Sequence, residues 1–418
     1  MPSDSLVSLL LVGFISACYW LFGKSHQQMP PLDDPLRLAL LLLPCYLTLQ
    51  IVPLPIRFLE MISPTRANMV KAATPVMGEI HWAPLTVDIS QTLFGLFSVL
   101  ACILVFILIR ELTWRFAEKP WASVVPIILI GLFQAALGLK QALAGRPGTV
   151  ATGTYLNRNH FAGFLEMVLP LAILGATVTF RARRLQGNSV IVSRLLAISA
   201  LGITAALFLS IVYSLSRTAT VLSILTLALT ITYILSSRLV LAESRLFLPA
   251  IFGLAIAVPL FLLLPSRLHK RFEQSATTDL SVDGTRVMMW RDASALIADF
   301  WITGCGFQTF ESVFPEYQRN SLKFRIEYAH NDYVQAAAEL GVTGCAIVAV
   351  LAFGVVKSIR RQALSGRSED ARLLATACIL SIACMLIHSL VDFNLYIPAN
   401  AFALAWIGGA GCTATSVV

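Results

Sequence analysis

His330, in the run YAHNDYVQAAAELG, is the side chain of this sequence best suited to proton chemistry. Histidine titrates near neutral pH and can take a proton from an attacking hydroxyl. Asp332 and Glu339 follow closely and are carboxylates able to orient an imidazole. The plain alternative is a histidine that anchors a helix at an interface. Arg217, in SLSRTAT, stands at a tight turn between two apolar runs. An arginine there is costly unless it snorkels to water or meets a partner. Arg286 opens an amphipathic stretch. A helix N-terminus favours anions, so this cation and that end suit a shared phosphate; a solvated arginine is the plain reading. Two further groups stand out. Asn157, Arg158, Asn159 and His160 lie in GTYLNRNHFAGF, where capping and interface anchoring are the alternative. His388 and Asp392, in HSLVDFNLYIPAN, are an ionisable pair at the end of an apolar run, a functional candidate or a tie between two helices. Glu166 is a weaker case of the same kind.

The elements that must position these groups are membrane helices. Of 418 residues, 57% are hydrophobic and 13% charged, too few charges to cover a water-soluble surface of this size. Mean hydropathy is +0.77, and the apolar residues come in runs of about 20, the length that crosses a bilayer. Eleven spans are expected: 5–23, 36–54, 89–109, 121–139, 161–180, 195–213, 218–236, 246–265, 333–356, 373–391 and 396–412. The first lacks a basic leader and is read as a retained helix. The predicted fold is all-α, a polytopic bundle of about 11–12 spans with one long, partly helical periplasmic loop at 266–332. Regular β-structure is not expected, because an open sheet leaves its edge groups unsatisfied in lipid.

Basic residues orient the bundle. The connections 110–120, 181–194 and 357–372 are short and rich in Lys and Arg, which assigns them to the cytoplasm. Parity then puts 55–88, 140–160, the turn at Arg217 and the loop 266–332 outside, with an outside N-terminus and an inside C-terminus. Those outside segments nonetheless hold fifteen of the 31 basic residues. Long loops are exempt from the orientation rule, so solvation explains this, but a basic mouth also suits an anionic, membrane-embedded substrate. The net charge of +8 follows from the same topology; with no zinc-finger spacing or basic helix, nucleic acid is not an expected partner. Of eight cysteines only Cys305 lies in a loop and none forms a CxxC pair, so neither a metal site nor a disulfide framework is expected. Within the loop, Thr285–Asp299 places Val287, Met288, Trp290, Ala295 and Leu296 toward one helix side, and Phe307, Phe310, Phe314 and Tyr317 form a second apolar stripe, read as core packing.

Five segments, taken in order, resemble one family. They are GTYLNRNHFAGFLEMVLPLA, SLSRT, GTRVMMWRDA followed by GCGFQTFESVFPEY, HNDYVQAAAELGVTG, and HSLVDFNLYIPANA. This order is similar to that of bacterial O-antigen ligases and related polysaccharide polymerases. The resemblance runs from about 150 to 405, within an O-antigen ligase-like membrane domain at 151–412; residues 1–150 match only in general style. It implies a multi-pass inner-membrane glycosyltransferase whose active site faces the periplasm and which works without metal or cofactor. The donor would be a glycan on undecaprenyl pyrophosphate, the acceptor a glycan or the lipid A core. Arg217 and Arg286 match the family arginines that hold the pyrophosphate, and His330 the histidine that acts as general base. Arg158, Asn159, His160, Asp332 and Asp392 are possible supporting residues. Such ligases commonly have twelve spans, one more than the count here. Ligation to lipid A core, polymerisation of repeat units and transfer to protein hydroxyls all fit this chemistry. A transporter or flippase and a purely structural membrane protein are the readings from other classes; the first predicts charges near the midplane in paired halves, the second makes no demand on His330 or the arginines.

Overall fold

The structure is a computed structural model that describes residues 2–22, 31–144, 148–185, 190–238, 265–277, 282–319, 326–366 and 368–413. Helix α1 (Pro2–Phe22) leads to α2 (Asp34–Ile51). A short bridge of β1 (Leu54–Pro55) with β2 (Trp82–Ala83) encloses α3 (Ile56–Ile62), α4 (Pro64–Ala72) and α5 (Thr74–Met77). Then come α6 (Ile89–Arg115), α7 (Val125–Ala144), α8 (Arg158–Leu185), α9 (Val190–Tyr213) and α10 (Arg217–Arg238). The long loop contributes α11 (Ser266–Thr277), α12 (Val282–Asp299) and α13 (Phe310–Val313), and the chain closes with α14 (Asp332–Ser365), α15 (Glu369–His388) and α16 (Pro398–Gly411).

Among the described residues eight helices are long and apolar enough to cross a membrane: α1, α2, α6, α7, α8, α10, α14 and α15. The span expected at 195–213 falls on α9, whose apolar part is Ile198–Ser214. That expected at 246–265 lies outside the described residues but for Pro265. The last, expected at 396–412, is the 14-residue α16, about 21 Å long at 1.5 Å per residue and so shorter than the roughly 30 Å hydrocarbon core. A 3-10 turn at Asn394–Tyr396 and Pro398 at its start consume the residues that were expected to lengthen it.

Helix α8 forms the centre. Of its apolar stretch 78% is buried, against 11% for α1 at the periphery. Phe161, Leu165, Met167 and Leu169 have no exposed surface, and α8 packs on α7, α9, α10, α15 and α16. Helix starts are set by capping side chains: Asp88 accepts from the backbone of Ser90 and Gln91, and Asn331 from Tyr333 and Val334, which satisfies donors that a helix N-terminus leaves open.

Connections sort to two ends. At one, Thr86 and Val87 donate to the Gln50 and Cys305 carbonyls, Ala151 to that of Tyr213, Arg267 to that of Gly148, and Asp332 to those of Ser389 and Asp392. All four segments expected outside are present there. At the other, Arg361 pairs with Asp33 at 2.6 Å, Arg110 donates to the Cys412 carbonyl at 2.8 Å, and Trp121 to that of Asp370 at 3.0 Å.

The loop is stitched onto α14 where that helix breaks. Gly341 has φ +59°, outside helical space. The irregular stretch 301–306 meets the break: Val342 and Thr343 donate to the carbonyls of Trp301 and Ile302, while Cys305 and Gly306 donate to those of Ala338 and Glu339. Backbone groups freed by the break are thereby paired, as burial demands. Helix α12 turns Met289, Ala293 and Leu296 inward, followed by Phe300. This corrects the expected face: Val287 and Met288 are exposed, because the side that packs on the loop core is set by Met289 and its i+4 and i+7 neighbours. Phe310 and Phe314 stack at 4.7 Å inside that core, as expected of the aromatic stripe.

Candidate active site

The site residues come together where the start of α8, the residues before α14 and the turn after α15 converge. Asn157 caps α8, its side-chain oxygen accepting from the Asn159 backbone at 2.8 Å. This aims Asn159 and His160 at the 389–397 turn. There Asn159 Nδ2 donates to Asp392 Oδ2 at 2.8 Å, and the Phe393 backbone donates to Asp392 Oδ1 at 3.0 Å. His160 Nε2 lies 3.6 Å from the same oxygen, an electrostatic contact longer than a hydrogen bond. His330 Nδ1 lies 3.3 Å from Asp392 Oδ1.

Asp392 is 1% exposed and His330 37%. Burial opposes ionisation of Asp392, but the close approach of His160 and the hydrogen bond of His330, with His388 behind them, prevail and hold its carboxyl well below the usual carboxylate range. An ionised carboxylate only accepts hydrogen bonds, so His330 Nδ1 carries the proton and donates it to Asp392. The lone pair of His330 is thus on Nε2, the ring nitrogen that does not face Asp392. This is the arrangement of an oriented general base.

The backbone supports the same geometry. His330 has φ +48°, a left-handed conformation that a side-chain-bearing residue adopts only under constraint. On one flank Trp290 Nε1 donates to the Ala329 carbonyl at 2.8 Å, and Ala329 donates to Gln335 at 2.9 Å. On the other, Asp332 donates through its backbone to the turn that carries Asp392. Phe393 fills the space between the two histidines. Its ring centroid is 4.4 Å from His160, 4.8 Å from His330 and 4.1 Å from the parallel ring of Tyr328.

Several expected partners are placed differently. Asp332 accepts from the Leu395 backbone at 3.1 Å, so it fixes the turn rather than the imidazole. Glu339 is turned away from His330: it accepts from the backbones of Gln308 and Phe310 and from Tyr396 Oη at 2.7 Å, tying the loop to the bundle. His388 does not pair with Asp392; its Nδ1 lies 2.9 Å from Glu166 Oε1, a wholly buried tie between α15 and α8. Cys305 is buried, and burial together with the Glu339 charge pushes its thiol up to about 12, which leaves it inert at neutral pH.

Of the three arginines, only Arg158 shares an element with the site; Arg217 and Arg286 stand on other helices. Arg158 is the first residue of α8 and Arg217 the first of α10; both are half-buried. Arg217 follows a turn in which Leu215 has φ +58° and Ser216 donates to Ser214 Oγ. Arg286 lies in the first half of α12, half-buried, and its Nε is buried with no hydrogen-bond partner among the described residues. A buried guanidinium N–H without a partner is suited to an anion. Phe393, Tyr328 and Tyr396 had not been singled out in the sequence. Phe393 adjoins Asp392 inside a motif that had been, which was the one available signal.

Fold and site together define a polytopic, all-α membrane protein with an oriented histidine at one end of its bundle. Residues 202–349 match the family model described as O-antigen ligase. The matched stretch, less than half of the chain, carries Arg217, Arg286 and His330 and is similar to that family. The start of α8 and the Asp392 turn lie outside the matched stretch. No curated protein matches the chain.

Proposed function

We propose that the protein transfers a glycan from an undecaprenyl-pyrophosphate donor to an acceptor hydroxyl on the periplasmic side of the inner membrane. The observation that carries this reading is the His330–Asp392 contact, which leaves Nε2 of a half-exposed imidazole ready to accept a proton. The acceptor O–H gives its proton to His330 Nε2 as its oxygen bonds to the anomeric carbon. The bond from that carbon to the pyrophosphate oxygen breaks, and the leaving group keeps the electron pair. Arg217 and Arg286 stabilise the developing charge, as cations do best in a site poor in water. Direct displacement inverts the anomeric centre. Asp392 holds the tautomer, with Asn159 and His160 holding Asp392, and Asp332 fixes the turn. Arg158, at the start of the same helix, is a further cation able to support the donor. Ligation, with lipid A core as acceptor, is the version of this transfer put forward here, and polymerisation of repeat units is its alternative.

The test is a transfer assay with purified protein, an undecaprenyl-pyrophosphate glycan, and lipid A core present or absent. Product only with core means ligation; a ladder from donor alone means polymerisation. His330→Ala is expected to lower the rate roughly 10²–10⁴-fold, the usual worth of a general base, with the protein still folded and inserted. Full activity in that variant sinks the mechanism. Lack of product with any acceptor, from folded protein, returns the transporter reading.

A further inference from the structure

Behind Asp392 lies a second imidazole–carboxylate pair that the proposed transfer does not use. His388 Nδ1 meets Glu166 Oε1 at 2.9 Å, and the two side chains are 2% and 0% exposed. An ionisable pair inside a membrane bundle is costly and is a functional candidate by default. Two elements set its position. On α8, Glu166 stands seven residues after Asn159, which is two turns along the same face and roughly 10 Å deeper. On the other side, His388 is the last residue of α15, and Asp392 follows four residues later in the turn. Helix α8 and the end of α15 therefore meet twice, at Asn159–Asp392 and at Glu166–His388. The pair has a direction: its imidazole end stands toward Asp392, and its carboxylate end lies deeper on α8.

Acidic groups surround that imidazole. Facing His388 are Glu166 from α8, Asp332 from α14 and Asp392 from the turn. Helix α10 meets α15 through Thr226, 3.1 Å from Cys384, and places Arg217 at its outer start. Helix α16 carries no ionisable side chain. Glu166 Oε2 has no hydrogen-bond partner among the described residues, so the group in contact with this carboxylate is the His388 ring. Carboxyl groups on three sides favour the cation of the imidazole between them. Facing Asp392 in turn are three imidazoles: His330 at 3.3 Å, His160 at 3.6 Å, and His388. The net charge around Asp392 matters to the base. An unopposed buried carboxylate draws a neighbouring imidazole toward imidazolium. An imidazolium has no lone pair with which to accept a proton. A fixed cation behind the carboxylate offsets that pull.

We infer that His388, held by Glu166, is a positioning residue that acts on the base through Asp392: its positive charge offsets that carboxylate and leaves His330 neutral and able to accept a proton. The inference rests on the proposed glycosyl transfer and adds this pair to its machinery. No proton crosses the pair during the reaction. The acceptor proton goes to His330 Nε2 and leaves from that half-exposed ring to water. A plain tie between α8 and α15, the alternative, fixes position and leaves the protonation of His330 unaffected.

The experiment reads the protonation of His330 directly, with the full chain in nanodiscs. Diethyl pyrocarbonate modifies neutral imidazole, and its product on His330 is followed by mass spectrometry across pH. His388→Gln keeps a hydrogen bond to Glu166 and removes the charge. It should move the His330 midpoint up by about one pH unit, the order of effect of one close charge, so that modification on the acid side is about tenfold slower. The exchanged pair, Glu166→His with His388→Glu, keeps the tie and reverses its direction; it should move the midpoint further the same way. An unmoved midpoint in folded His388→Gln overturns the inference and leaves a tie between helices. The unaltered protein decides the matter where a variant misfolds. Labelled with 15N-histidine and 13C-glutamate, it should show one buried ring, coupled to a glutamate carboxylate, with both N–H protons present at the pH of the His330 midpoint. A singly protonated ring there overturns the inference. Transfer assays run alongside keep the two proposals apart: a moved midpoint without transfer removes the glycosyl-transfer reading, and transfer with an unmoved midpoint removes only this one.

Discussion

At the residue scale, Asp392 governs the chemistry of its neighbours. It is nearly inaccessible, accepts from Asn159 and the Phe393 backbone, and touches His330. Because its folded-state pKa lies below the unfolded value of about 3.9, the folded protein binds fewer protons than the unfolded chain as pH falls toward 4. The carboxylate therefore contributes stability that is fully present above about pH 4 and is lost as pH falls through the folded value. In detergent, thermal unfolding of the parent protein should shift down between pH 5 and pH 3, and Asp392→Asn should flatten that dependence. The same variant should slow transfer at neutral pH, because an amide no longer enforces the Nδ1–H tautomer of His330. Equal acid sensitivity in parent and variant would remove Asp392 from this role.

At the scale of elements, the decisive feature is the broken α14. Its first turns carry the residues that follow His330, and its remainder is a membrane span. Stretch 301–306 crosses the break so closely that a Cβ on Gly304, itself at φ +69°, would stand 2.1 Å from the Glu339 carbonyl oxygen. Gly304→Ala should then destabilise the fold by about 2–4 kcal/mol, the range of backbone strain with steric overlap. It should also reduce transfer, since the Glu339 and Gln335 contacts that place residues 329–331 shift with it. Thermal unfolding and assay on one preparation check both; an unchanged melting temperature contradicts the packing described. Glu339 illustrates what sequence hides. It stands nine residues after His330 and is a natural partner for it on paper, yet the bend at Gly341 and the loop's open backbone donors claim both of its oxygens.

Across the whole molecule, connections gather at two ends, and the candidate base lies at one of them. With the orientation proposed above, a cysteine introduced at Glu327 (Glu327→Cys) should react with a membrane-impermeant maleimide in intact spheroplasts. One introduced at Arg361 (Arg361→Cys), among the contacts of the opposite end, should react only after permeabilisation. The reverse pattern inverts the topology.

Apolar runs determined the class of fold and nearly every long helix, because a bilayer imposes length and hydropathy on anything that crosses it. Sequence order also brought forward Arg217, Arg286, His330, Asn159, His160 and Asp392, and the grouping of the outside segments followed from the count of basic residues. It was tertiary packing that decided the partners. Asp392 lies 62 residues from His330 and 233 from Asn159 along the chain, and no local spacing encodes which carboxylate meets which imidazole. The exchange of His388 from Asp392 to Glu166 and the inward face of α12 both depend on how independent helices pack side by side. That packing is fixed by shape and by the pairing of buried polar groups, neither of which periodicity reveals.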